Sequence, residues 1–230
     1  MIPKSLTTRL DNTNDSWRDW ILTALAPLIA LDLFVVAPFG ATHAINVRPF
    51  AVAVVILLAA ALLMVSRSLV PVAGIVTAVG LFVATLILHA RGGHAGLDIF
   101  LEAMGRLLVG AVVIWVVTRA VFAPGRVTYH RVIGAVLLYL GIGFVFVAFH
   151  CLADMLFPGS FTGMSVVDDL MMPSDFVYFS FTILTTVGFG DIVPVHPLAR
   201  SLCNVEAILG QLYPATLLAY LVSLEVAARK

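Results

Sequence analysis

Apolar residues fall in long runs, separated by short polar stretches, and six runs approach the roughly 20 residues a helix needs to cross hydrocarbon. They cover residues 17–39, 47–65, 69–89, 104–122, 132–153 and 202–224. Trp17 and Trp20 stand where a headgroup belt favours aromatic rings. Ser66-Arg67-Ser68 makes a tight turn between the second and third runs, and Pro124-Gly125 breaks the chain after the fourth. Between the fifth and sixth runs the pattern changes. Pro158-Gly159-Ser160 opens a loop, and Met172-Pro173-Ser174-Asp175 reads as a helix start with a capping residue and a first-turn acid. Residues 176–184 are apolar but too short to span, which predicts a re-entrant helix. The expected fold is therefore an all-α membrane protein, with six transmembrane helices and a re-entrant pore helix between the fifth and sixth.

Composition agrees with a lipid solvent. The 230 residues are 61% apolar and 11% charged, with a mean hydropathy of +1.08. A soluble domain carries about 25% charge and needs it to face water. Zero net charge argues against a nucleic-acid partner. Cys151 and Cys203 both lie in apolar runs and read as buried apolar-like residues, with no disulfide framework. A cleaved leader is disfavoured because Asp11, Asp15 and Asp19 make the leading segment acidic and Asp32 interrupts the first run. With the N-terminus inside, nine Lys and Arg residues fall on the inner side and four on the outer, which predicts both termini in the cytoplasm. No cytosolic ligand-binding domain is expected after the sixth helix. H-E-x-x-H, G-x-S-x-G and metal-spaced Cys or His clusters are absent, so an enzyme is not expected.

Thr185-Thr186-Val187-Gly188-Phe189-Gly190-Asp191 follows the short helix directly. Here the chain resembles the potassium-channel family, whose filter loop offers backbone carbonyls in place of the ion's water. The family form usually has Tyr at the position of Phe189. Several successive carbonyls can point one way only if alternate residues take φ > 0, and glycine does this without a Cβ penalty, hence Gly188 and Gly190. The resemblance implies that the carbonyls of Thr186, Val187, Gly188 and Phe189 bind potassium, with Gly190 completing the loop. It further implies that Val187 and Phe189 point into a packed cuff, and that Thr185, Asp191 and Tyr178 support the filter. Tyr178 is placed either to bond a filter or Asp191 group or simply to pack at the interface. Where the family sometimes has an acid behind the filter this chain has Thr182, so no buried carboxylate pair is carried over. One loop per chain implies a homotetramer in a lipid bilayer, with potassium as the permeant ion and no other cofactor. A separate regulatory subunit is left open.

The resemblance divides the chain into a cytoplasmic segment 1–16, a four-helix peripheral domain 17–122, a pore domain 131–225 and a short tail 226–230. In the pore-lining helix, Gly210 falls at the family's hinge position, and Pro214 frees a carbonyl one turn back. The two form either a gate, with Leu217, Leu218 and Leu221 near a constriction, or a static kink. A voltage sensor needs arginines at every third position. The fourth run has only Arg106 and Arg119, near its ends, so intrinsic voltage dependence is expected to be weak or absent. Asp32 reads as a sensor or as a charge paired inside the bundle. Glu206 reads as structural support more than as an ion contact. Asp168 and Asp169 either concentrate cations at the mouth or are merely solvated, and His196 either titrates or is neutral to function. The expected activity is passive potassium conduction, with a weakly selective cation channel as the alternative. Potassium transporters with such loops resemble four fused repeats, and this chain has one.

Overall fold

The computed structural model describes residues 23–36, 38–39, 53, 56–57, 59–60, 69–91, 95–122, 129–164 and 174–228. The second expected span, the start of the first, Trp17 and Trp20, Pro124-Gly125, and Asp168 and Asp169 lie largely or wholly outside these residues.

Residues 23–36 are helical and finish in a π-helical stretch, Asp32–Val36. The long helices follow: α1 (Leu69–Ala90), α2 (Ala95–Val121) and α3 (Tyr129–Leu156). Windows within these three are long and apolar enough to cross a membrane: Leu69–Leu88, Phe100–Arg119 and Tyr129–Leu156. A short β1 (Phe161–Thr162), the eleven-residue α4 (Ser174–Leu184), β2 (Val193–Pro194) and α5 (Pro197–Ala228) complete the chain. The 32 residues of α5 exceed any span in length, with Arg200, Asn204, Glu206 and Gln211 interrupting its apolar run.

Two departures from the sequence pattern are local. Helix α2 begins at Ala95, nine residues before the apolar run, and within this early part Glu102 pairs with Arg106 one helical turn on. An i,i+4 pair of this order supports a helix and lets it extend through polar positions. The same pairing occupies Arg106, while Arg119 lies over the Trp115 ring at 4.7 Å. The second departure is a two-residue antiparallel ladder, in which Phe161 faces Pro194 and Thr162 faces Val193.

Helix α2 packs between α1 and α3, while α3, α4 and α5 pack against one another. The core is continuous across both groups. Val113, Val117 and Val121 of α2 are buried with Leu137, Leu138 and Val147 of α3, and Phe176, Val177 and Phe179 of α4 join them. Leu25, Ile29 and Leu33 repeat every four residues and present one buried stripe of the first helical segment to the same core. Phe34 meets Phe181 of α4 edge-on, with centroids 5.0 Å apart. Cys151 and Cys203 are buried and free.

Candidate functional site: the loop after α4

Every α-helix ends with four carbonyls that lack an intrahelical donor. In α4 these belong to Phe181, Thr182, Ile183 and Leu184, and the chain that follows turns back to serve them. Thr185 N donates to Phe181 O (3.0 Å) and Thr186 N to Ile183 O (2.9 Å). Val187 N and Gly188 N both donate to Thr182 O, at 2.9 and 3.1 Å. The last carbonyl, on Leu184, receives the Tyr139 hydroxyl of α3 at 3.0 Å.

Tyr139 in turn stacks on Tyr213 of α5, centroids 5.8 Å apart, and the Tyr213 hydroxyl donates to Ala135 O at 2.7 Å. The tyrosine pair thus joins α3, α5 and the C-terminal end of α4. Tyr139→Phe removes only the donor and leaves the buried Leu184 carbonyl unpaired. The expected cost is about 1–3 kcal/mol, read as a lower thermal midpoint of the purified chain; an unchanged midpoint would show that this bond contributes nothing.

The amides of residues 186–188 are therefore spent on α4. Their carbonyls are not. Among the described residues, no hydrogen bond is made to the carbonyl oxygens of Thr186, Val187, Gly188 or Phe189. The backbone alternates as it passes them, with φ of +58° at Thr186, +52° at Gly188 and +79° at Gly190. Thr186 is β-branched, and a left-handed conformation there costs on the order of 1–3 kcal/mol. Such strain persists only where the surroundings over-determine it, here through the two flanking amide bonds to α4.

The side chains around the loop are disposed as follows. Val187 and Phe189 are 56% and 69% exposed, so this one chain does not enclose them. Phe189 lies parallel to Tyr178 of α4, with centroids 6.1 Å apart and planes 7° from parallel. Asp191 lies beside the Tyr178 hydroxyl.

The chain that follows the loop is held by Ser160. Its carbonyl accepts from Val195 N at 2.8 Å and from His196 N at 3.3 Å, and its own amide donates to Asp154 Oδ1 at 3.0 Å. Arg200 Nε donates to Pro194 O at 3.0 Å. His196 stacks on Phe157 at 4.2 Å. Gly210 of α5 is placed against the end of α4, where an added Cβ would meet the Leu184 backbone.

A cluster that sequence reading did not assemble lies behind the loop. His150 of α3, Ser180 of α4 and Glu206 of α5 are all fully buried. His150 Nε2 is 2.8 Å from Glu206 Oε2, and Ser180 Oγ is 2.5 Å from Glu206 Oε1. Ser180 Oγ also lies 3.0 Å from the Gly143 carbonyl. The available signal was His150, a polar residue inside an otherwise apolar run.

Three helices are thus long and apolar enough to cross a membrane, and the loop after α4 carries carbonyls without a hydrogen-bond partner among the described residues. A family model described as "Ion channel" matches residues 160–226, which take in β1, α4, the loop and nearly all of α5. An ion-channel domain therefore occupies this part of the chain, and passive ion conduction is the activity of such a domain. No curated protein and no solved structure matches the chain.

Proposed function

We propose that the chain is the subunit of a homotetrameric, potassium-selective pore, and that residues 185–191 form its filter. The observation that carries this reading is the row of unpaired carbonyls at residues 186–189 on a backbone that turns left-handed at every second residue. Dehydrating a cation requires oxygens that replace its water, and carbonyl dipoles do so without adding a fixed charge that would trap the ion.

Each chain supplies one wall, because its amides bond its own α4 while its carbonyls have no partner among the described residues. Four walls close the ring. The exposed Val187 and Phe189 side chains and the exposed apolar face of α5, including Val205, Ile208 and Leu212, are surfaces for neighbouring subunits or for the conduction path. In this arrangement α4 is re-entrant, entering from the outer side, and its C-terminal dipole end points towards the membrane centre, where it favours a cation. Asp191, beside Tyr178, stands at the outer mouth, and Gly210 and Pro214 lie along the inner half. Both termini are placed in the cytoplasm, by the Lys and Arg distribution.

The test is a reversal-potential measurement on the purified chain in liposomes with opposed potassium and sodium gradients. The expected result is a reversal potential close to the potassium equilibrium value. Equal permeability to sodium would move the reading to a weakly selective cation channel.

A further inference from the structure

His150, Ser180 and Glu206 come from three different helices, and Ser180, with one proton and two acceptor neighbours, can donate to only one of them. His150 is walled by aromatic rings, with Phe179 at 5.1 Å, Phe161 at 5.6 Å and Phe146 at 6.2 Å between centroids. Its Nδ1 is buried without a partner. A bare ring nitrogen tolerates this far better than an N–H would. The imidazole is therefore neutral, with its one proton on Nε2, donated to Glu206 Oε2. Among the described residues Glu206 has no cation but this neutral ring. An ionised carboxylate there would be an uncompensated buried charge.

Ser180 decides the rest. A serine hydroxyl has one proton, and its oxygen lies within bonding distance of both the Gly143 carbonyl and Glu206 Oε1. A carbonyl can only accept. If Ser180 donates to Gly143, the contact to Oε1 requires the proton to be on the carboxyl. Every donor then has one acceptor: His150 Nε2–H to Oε2, Oε1–H to Ser180 Oγ, and Ser180 O–H to Gly143 O.

We propose that Glu206 is held as an uncharged carboxylic acid and that His150, Glu206 and Ser180 form a neutral hydrogen-bonded latch fixing α4 between α3 and α5. Its purpose, steadying the loop that α4 carries, rests on the function proposed above; the protonation and the latch do not. Glu206 is thus a positioning residue. It touches no ion and acts through the helix whose C-terminal carbonyls anchor the loop amides.

The chain contains three glutamates, Glu102, Glu206 and Glu225, which makes isotope labelling decisive. Infrared spectra of the purified chain in liposomes, with and without carboxyl-13C glutamate, should show a protonated-carboxyl C=O band that shifts with the label. The band should persist in Glu102→Gln and Glu225→Gln and vanish in Glu206→Gln. In thermal unfolding, Glu206→Gln should match the wild type, because its amide donates to Ser180 and its carbonyl accepts from His150. Glu206→Ala should lower the midpoint by roughly 5 °C or more. A spectrum with no Glu206-dependent protonated band, or Glu206→Ala as stable as Glu206→Gln, overturns the proposal. Neither readout uses ion current, so a chain that shows the band and fails to select potassium refutes the pore reading and leaves the latch standing.

Discussion

Replacing Gly188 with L-alanine is expected to abolish ion flux. A Cβ built on Gly188 meets no atom of its own chain within 4 Å, so crowding inside the subunit is not the reason. The reason is the backbone, held at φ +52°. An L-residue there pays about 1–2 kcal/mol, and in the proposed ring of four subunits the cost recurs in each copy, about 4–8 kcal/mol if the copies act together. Relaxing to negative φ rotates the peptide plane between Val187 and Gly188, and with it the Val187 carbonyl, out of the row. Either response removes one ring of oxygens. Flux of potassium from liposomes, compared between wild type and Gly188→Ala, measures the loss. A D-alanine introduced by semisynthesis adopts positive φ without this penalty and is expected to restore flux. Wild-type flux through the L-alanine variant would remove the left-handed backbone from the explanation of conduction.

How much of this was legible in the sequence follows from how far apart the interacting residues lie. The third apolar run, 69–89, and α1, Leu69–Ala90, differ by one residue, because an uninterrupted apolar run bounded by Ser66-Arg67-Ser68 leaves no competing pattern. The short helix was readable from Ser174 and Asp175, a cap and a first-turn acid. Glycine at 188 and 190 announced the left-handed positions. Thr186 did not, since nothing in a threonine predicts φ of +58°; the two amide bonds on either side of it impose that value. The early start of α2 was hidden because Asp98 and Glu102 interrupt the apolar pattern before residue 104, and the pairing of Glu102 with Arg106 is seen only in the structure.

Hardest to read were contacts between helices. Tyr139 reaches a carbonyl 45 positions away, and His150 reaches Glu206 across 56. Periodicity reports which face of a helix is apolar. It does not report which polar side chain on one helix meets which on another, so Glu206 could be called structural without its partners being named.

Gly210→Ala is expected to damage folding before it alters gating. The hinge expectation rests on the family position and on Pro214, whose missing N–H leaves the carbonyl of residue 210 without its helical donor. The structure adds a different demand on the same residue. A Cβ built on Gly210 falls 1.9 Å from the Leu184 carbonyl oxygen, 2.7 Å from its carbon and 3.0 Å from its Cα. These are backbone atoms at the end of α4, beside the loop, and they cannot rotate aside as a side chain does. The same oxygen accepts the Tyr139 hydroxyl, so moving it breaks a buried bond as well. Over-packing of this kind costs typically 1–3 kcal/mol and more where neither side yields. The expected result is a thermal midpoint lower by about 5 °C or more, with a smaller folded yield. Pro214→Ala makes no such clash, since it returns an N–H to the carbonyl of residue 210 and removes the ring that crowds it. It is expected to keep or raise the midpoint and to straighten α5, so a change in open probability in this variant isolates the bend. Should Gly210→Ala unfold with the wild type while shifting open probability, the glycine serves motion and the close approach to Leu184 is not maintained. If instead both variants leave open probability unchanged, neither residue gates, and Gly210 is there because α5 can lie against the end of α4 only where it has no side chain.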